Sequence, residues 1–432
     1  METLMIAVAG LLVIAACNQL APRVGVASPL LLLVLGIGIG FLPFVTAIEL
    51  NPEIVLEAVL PPLLYSTAVS MPVADFRREL RSVSALAVGL VAVSAVVIGL
   101  VAHMLVPAIP LPWAIALGAV LSPTDAVAIA IVRGLGVTDR IITILEGEGL
   151  FNDATALILL SSAVSAGVAR STDSLEPGAL AAQFLTSLAL ALFIGWAVGT
   201  LAVRVRARIS ESTADTVVSF TVPFLASLPA EYLGGSGLVA AVVAGLITSY
   251  RGPWLLSPVH RVNARHNWRT IELILEGGVF LFMGLQAYGI VQEVAEVGYG
   301  ARTAVILAVS AWVLTVLVRL VFVAPMLVWL GWVRRRRSRR LEYFTSEPLG
   351  PREGAVIIWA GMRGAVTLAA AQTLPLSTPA RPLLLLVALL VSGGSLIVQG
   401  LTLDPLIRLM RPRMAQDDDA QTTTVDLAVT PG

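Results

Sequence analysis

A series of long apolar runs constrains this chain more than any other feature of its sequence. A hydrocarbon core of about 30 Å needs roughly 20 helical residues to cross it, and only helices or closed barrels satisfy their backbone there. With 57% hydrophobic and 13% charged residues, the composition is that of an all-α polytopic membrane protein. Thirteen runs are predicted to span: 3–20, 28–45, 54–72, 83–105, 111–132, 141–168, 180–203, 213–230, 235–250, 270–291, 302–332, 353–375 and 383–409.

The distribution of arginine predicts the orientation. All 28 basic residues are arginine, and most lie in loops that follow odd-numbered runs. Loops rich in arginine face the cytoplasm. We therefore expect an external N-terminus and a cytoplasmic C-terminus in the plasma (inner) membrane. We interpret the cluster 334–340 as a topology anchor, with binding of anionic membrane lipid as the alternative. The net charge of zero gives no reason to expect a nucleic-acid partner.

An odd number of spans suggests two inverted repeats. Two six-helix repeats joined by one linking helix run in opposite directions, so run 5 corresponds to run 12. Both runs contain breaks: Pro123 removes a backbone donor in run 5, and Gly361 and Gly364 flank Arg363 in run 12. Discontinuous helices at corresponding positions predict a binding site near the membrane midplane.

Two aspartates lie at the depth expected for that site. Asp125 is eight residues from Arg133, about 12 Å along a helix, and Asp153 is thirteen from Arg140, about 20 Å. The centre of a ~30 Å core lies near 15 Å, so both carboxylates fall close to the midplane on adjacent helices. Intramembrane acids are functional by default, although a hydrogen-bonded pair without a transport role is the alternative.

The remaining charged residues in the runs are interpreted mainly as structural ion pairs. Glu148 points about 140° away from Asp153 on the helical wheel, and Arg363 is its expected partner in a structural ion pair. A second structural pair is predicted between Arg319 and either Glu272 or Glu276. Glu146 is either an acid at the mouth of a funnel or an interfacial residue.

The single cysteine excludes a cysteine cluster, and no cofactor is expected.

Three motifs resemble the monovalent cation/proton antiporters, in the NhaP-type sodium/proton exchanger branch. The resemblance runs from roughly residue 10 to 410 and has its most specific matches at Ser122–Ala128, Glu146–Asp153 and Gly361–Val366. Leu60–Tyr65 and Leu35–Pro43 fit the same pattern.

The resemblance implies a homodimer built from two kinds of domain. Residues 1–82 and 180–300 would form dimerisation helices, and 83–170 with 301–410 the ion-transport core. The tail 411–432 is predicted to be disordered.

The same resemblance implies roles for individual residues. Asp153 would be the essential ion- and proton-binding acid, with Asp125 and the Thr124 carbonyl as Na⁺ ligands. Asn152 would belong to the ion- and proton-binding residues and occupies the position typical of the electroneutral branch. Glu148 with Arg363 resembles the structural ion pair.

This chain departs from the family pattern at two positions. Gly149 stands where the family usually has serine, and Ser66 where it usually has glutamate. We expect water or backbone to replace these ligands, which leaves Na⁺-versus-K⁺ selectivity open.

The function predicted from the sequence is exchange of one monovalent cation, Na⁺ or also Li⁺, for one proton. Two carboxylates in a low dielectric cannot both ionise cheaply, so cation and proton displace each other. Potassium/proton antiport, a cation channel and a sensor that does not transport are the alternatives. A membrane aspartyl protease would need a Gly-x-Gly-Asp signature, which neither Asp125 nor Asp153 carries.

Overall fold

The computed structural model describes residues 2–42, 54–71, 73–125, 127–134, 137, 139–169, 177–298, 300–337 and 351–426. Within these residues every regular element is helical. The helices are α1 (Glu2–Val24), α2 (Ser28–Gly40), α3 (Leu60–Ser70, preceded by a π-helical turn Ile54–Val59), α4 (Val73–Ser84), α5 (Val91–Leu105, joined to α4 by π-helical Ala85–Leu90), α6 (Leu111–Leu121), α7 (Val127–Gly134), α8 (Asp139–Ala169), α9 (Pro177–Arg206), α10 (Ser212–Tyr232), α11 (Gly237–Leu255), α12 (Pro258–Val297), α13 (Ala301–Arg337), α14 (Pro351–Trp359), α15 (Ala365–Gln372) and α16 (Arg381–Asp426).

Each of the thirteen predicted runs coincides with a helix or a pair of helices, so the prediction of an all-α polytopic fold is confirmed. Among the described residues, eight helices are long and apolar enough to cross a membrane unaided. The other runs are short, as in α2 and α3, or broken into two pieces, as in runs 5 and 12. Run 8 forms α10, which contains Pro223 and Pro229.

The predicted breaks in runs 5 and 12 are confirmed. Helix α6 ends at Leu121 and α7 begins at Val127, while α14 ends at Trp359 and α15 begins at Ala365. The two extended segments meet, because the Asp125 backbone N–H donates to the Met362 carbonyl over 2.9 Å. Each break thereby satisfies backbone groups that the interrupted helices leave unpaired.

The C-terminal tail follows the last apolar run. Helix α16 is assigned as far as Asp426. The predicted disorder of residues 411–432 stays a prediction. Residues 427–432 and the 338–340 end of the arginine cluster lie outside the described residues.

Buried apolar side chains of the described residues form one large cluster and two smaller ones, of which the smallest contains Met71, Phe76 and Leu150. The large cluster joins the residues around both helix breaks to α2, α8, the second half of α12, α13 and α16. The second cluster joins α3, α9, α10 and α11 to the first half of α12, including Trp268. Helix α12 takes part in both of these clusters, and the division into dimerisation and transport domains remains a prediction.

Candidate functional site

A cavity of about 580 Å³ lies where α3, α8 and α12 face the two helix breaks. Its wall includes Pro123, Thr124 and Asp125 from the first break, and Gly364 from the second. Asp153 reaches the same cavity from α8. The structure therefore brings together the two aspartates that the sequence placed near one depth on neighbouring helices.

Asp153 is buried, with only 6% of its surface exposed. Among the described residues it makes no hydrogen bond and no ion pair, and the charge that acts on it is that of Asp125. An ionised carboxylate without a partner is costly at such a position. Asp153 can therefore hold a proton or a cation, and each removes the charge that the other needs.

Asp125 is positioned by the crossing of the two breaks. Its backbone is held by Met362, and its carboxylate lies against Gly364, where a Cβ atom on that glycine would overlap it. Glycine is thus required at position 364 for close approach rather than for unusual dihedral angles, since its backbone is extended.

Asn152 lies behind the cavity wall and holds the first break in place. Its Nδ2 atom donates to the Thr124 carbonyl over 3.2 Å and to the Thr124 hydroxyl over 2.9 Å. The side chain is completely buried and does not reach the cavity. Asn152 therefore positions Thr124, and its part in ion and proton binding stays a prediction.

The predicted partner of Glu148 is wrong. Its carboxylate forms a two-pronged ion pair with Arg319 of α13, in which the Nη2–Oε2 distance is 2.7 Å. Thr124 Oγ1 also donates to Glu148 over 3.2 Å, and Arg319 Nε donates to the Ile357 carbonyl over 2.8 Å. Gly361 leaves room for this arginine, since a Cβ there would approach Arg319 Cδ to 2.7 Å.

Arg363 instead stabilises the end of α6. Its guanidinium donates to the carbonyl of Ser122, the residue that follows the last turn of α6. Carbonyls at a helix C-terminus lack intrahelical partners and attract positive charge, which explains why Arg363 binds there. Its own backbone N–H is held by Ser395 Oγ at 2.9 Å.

The predicted pairing of Arg319 with Glu272 or Glu276 is also wrong. Both glutamates line the cavity, and the Ser66 hydroxyl donates to Glu272 Oε1 over 2.7 Å. The sequence had suggested water or backbone in place of the glutamate missing at position 66. The structure adds the two carboxylates from α12, which the sequence had indicated only as partners of Arg319; their spacing of four residues, which puts both on one helix face, was the signal for a shared cavity wall.

Arginines line the solvent-exposed end of the cavity. Arg133, 52% exposed, forms an ion pair with Glu146, which is only 3% exposed. Exposed Arg265 and Arg269 of α12 line the same end. Glu146 is thus a partner of an arginine at the mouth, in agreement with a position at the funnel entrance.

Gly149 of α8 lines the cavity one turn from Asp153. A Cβ atom at this glycine would meet nothing within 4 Å, so a larger side chain fits there. The missing serine oxygen therefore corresponds to open space in the cavity and not to a repacked wall.

Comparisons with known proteins find similarity to cation/proton exchangers. The family model described as sodium/hydrogen exchanger, transmembrane, matches residues 8–409. An uncharacterised Na⁺/H⁺ exchanger of Mycobacterium tuberculosis is 32% identical over 419 residues, which cover 95% of this chain and 74% of that protein. A sodium, potassium, lithium and rubidium/H⁺ antiporter of Bacillus pumilus is 28% identical over 94% of this chain and 61% of its own length.

A solved structure shares the fold. The sodium proton antiporter MjNhaP1 of Methanocaldococcus jannaschii superposes with a TM-score of 0.71 at 18% identity, covering 94% of this chain and 99% of that one. Together with the family match over nearly the whole chain, this identifies a membrane transporter and not an enzyme. The chain belongs to the sodium/hydrogen exchanger family.

Proposed function

We propose that this chain exchanges one Na⁺ or Li⁺ for one proton, with Asp153 and Asp125 as the shared site and the Thr124 carbonyl as a further ligand. The observation that carries the proposal is the meeting of the two aspartates in one cavity, with Asp153 buried and without a hydrogen-bond partner among the described residues. A cation bound between the carboxylates neutralises them, and so does a proton.

Electroneutral exchange is supported by the composition of the site. Asn152 has a neutral amide whose donors are both used by Thr124, so it adds no proton to the cycle. One cation moved against one proton carries no net charge. The membrane potential, worth about 2.3 kcal/mol per charge per 100 mV, then does not drive exchange.

The assembly and orientation are part of the same proposal. The arginine-rich loops place the mouth at Arg265 and Arg269 on the cytoplasmic side of the plasma membrane, so the cavity is the inward-facing access to the site. The N-terminus is then external, and a homodimer anchors the helices against which the core moves.

Exchange of K⁺ is the second candidate. The Bacillus pumilus relative is named for transport of sodium, potassium, lithium and rubidium, and the open space at Gly149 leaves room around a larger ion. Because geometry and ligand number decide between cations, a site with fewer oxygen ligands is expected to discriminate weakly.

Proteoliposomes that contain a pH-sensitive dye test the proposal. Imposed Na⁺, Li⁺ and K⁺ gradients should each be assayed at zero and at inside-negative potential. Saturable alkalinisation that does not change with voltage supports antiport. A voltage-driven current would indicate a channel or an electrogenic exchanger, and no flux with any cation would indicate a sensor.

A further inference from the structure

One face of α12 forms a continuous charged wall of the cavity. Arg265, Arg269, Glu272 and Glu276 follow each other at spacings of four, three and four residues, and all four line the cavity. At 1.5 Å per residue this face extends over about 16 Å. The arginines lie at the exposed end and the glutamates toward the helix breaks, so the charge changes from positive to negative with depth.

The two glutamates have different surroundings. Glu272 accepts the hydrogen bond from Ser66. Glu276 is one turn deeper and, among the described residues, makes no hydrogen bond and no ion pair; the charges that act on it are those of Asp125 and Glu272. Glu276 is therefore a carboxylate of the cavity that no protein group in the described part of the chain has engaged.

Glu276 is not a third member of a compact coordination sphere. In the described part of the chain, no three His, Cys, Asp or Glu side chains are arranged to hold a metal ion together. Glu276 shares the cavity with Asp125 and Asp153 and lies on the same face of α12 as Arg265 and Arg269, one turn beyond Glu272. This position suits transient binding on the way to the site.

We propose that Glu276 is an access station that binds the cation or the proton and passes it between the cavity mouth and the Asp125–Asp153 site. The inference rests on the proposed antiport and identifies a residue that assists exchange of ions between the site and solution. Because Glu276 returns to the same protonation and binding state in each cycle, it leaves the one-to-one stoichiometry unchanged. Its charge raises the local cation concentration, and its carboxylate can accept the proton released from Asp153, which passes directly to water in the cavity when the carboxylate is absent.

The charged groups that line the cavity with Glu276 come from the first break and from α7, α8 and α12. They are Asp125 from the first break, Arg133 from α7, Glu146 and Asp153 from α8, and Arg265, Arg269 and Glu272 from α12 itself. Arg133 and Glu146 are paired with each other. The acids therefore outnumber the arginines around the inner part of the cavity, which favours cations there.

Reconstituted Glu276→Gln tests the proposal by separating affinity from maximal rate. Loss of one charge near the path should raise the apparent KM for Na⁺ about tenfold, while the maximal rate at saturating Na⁺ stays within about twofold. Glu276→Asp should restore most of the affinity. Glu293→Gln, an exposed acid on the same helix, should match the wild type.

The outcomes separate this proposal from the proposed function. An unchanged KM in Glu276→Gln, with wild-type exchange intact, would overturn the access station and leave antiport standing. Loss of maximal rate would also overturn it, because Glu276 would then belong to the site or to the fold. Absence of exchange in the wild type would count against antiport itself.

A measurement on the wild type keeps the proposal testable if the variants do not fold. A hydrophobic carbodiimide reacts with protonated carboxyl groups, and mass spectrometry of the full-length protein identifies the labelled residue. Glu276 should be labelled at acidic pH and protected by added Na⁺. No labelling, or labelling that Na⁺ does not reduce, would contradict a role in passing protons and cations.

Discussion

Helix α8 carries two carboxylates five residues apart whose surroundings are opposite. Glu148 is 1% exposed and bonded to Arg319 and Thr124, whereas Asp153 lines an open cavity and makes no hydrogen bond among the described residues. A fully paired buried charge is fixed in one state, because removing it would strand its partner. An unpaired carboxylate facing a cavity can change its partner. The comparison shows that pairing, rather than burial or depth, separates the structural acid from the candidate transport acid.

The first test of this comparison removes the arginine partner of Glu148. Arg319→Met should lower the free energy of unfolding by roughly 3–5 kcal/mol, because a buried carboxylate remains uncompensated. Thermal unfolding in detergent measures the loss. The exposed Arg302 on the same helix provides the control, and Arg302→Met should leave stability unchanged. Equal stability of both variants would contradict a structural role for the Glu148–Arg319 pair.

The second test removes the charge of the unpaired acid. Asp153→Asn should reduce Na⁺-dependent proton flux at least about 100-fold, because the neutral amide neither releases a proton nor balances a cation. Its thermal stability should equal or exceed that of the wild type, since no ion pair is broken. A variant that retains exchange would exclude Asp153 as the shared site.

The third test displaces Asp125 without changing its charge. Gly364→Ala places a methyl group where the Asp125 carboxylate lies, and such overpacking typically costs about 1–3 kcal/mol. Exchange should fall about tenfold, corresponding to ~1.4 kcal/mol. Gly394→Ala is the matched control, because its Cβ would meet nothing within 4 Å. Similar fluxes in both variants would show that the crossing of the breaks tolerates displacement.

The smallest expected effect comes from adding an oxygen beside Asp153. Gly149→Ser fits into open space and should lower the apparent KM for Na⁺ about threefold, since one more neutral oxygen can reach the ion. Gly149→Ala adds the methyl group alone and should leave the KM unchanged. The ratio of Na⁺ to K⁺ rates should rise in the serine variant only, and an equal shift in both variants would assign the effect to packing.

Several features could be predicted from the sequence because they depend on local chemistry. Apolar length predicts the helices, proline and glycine predict the two breaks, and the 1.5 Å rise predicts that Asp125 and Asp153 lie at one depth. The arginine partners could not be predicted in this way. Arg319 lies on α13 and Arg363 in the second helix break, and a helical wheel does not show which of them reaches Glu148.

The tertiary structure decided those partners through space and backbone chemistry. The carbonyl at the end of α6 attracts Arg363, and the missing side chain of Gly361 lets Arg319 lie beside Glu148. Glu272 and Glu276, 147 and 151 positions after Asp125, enter the cavity only because α12 packs across the two larger apolar clusters. By itself the sequence determined a membrane-spanning helical chain with two acids at mid-depth, since span length and helical rise are local properties. Which charges pair and which stay open for an ion depends on contacts between distant segments, and those exist only in the folded protein.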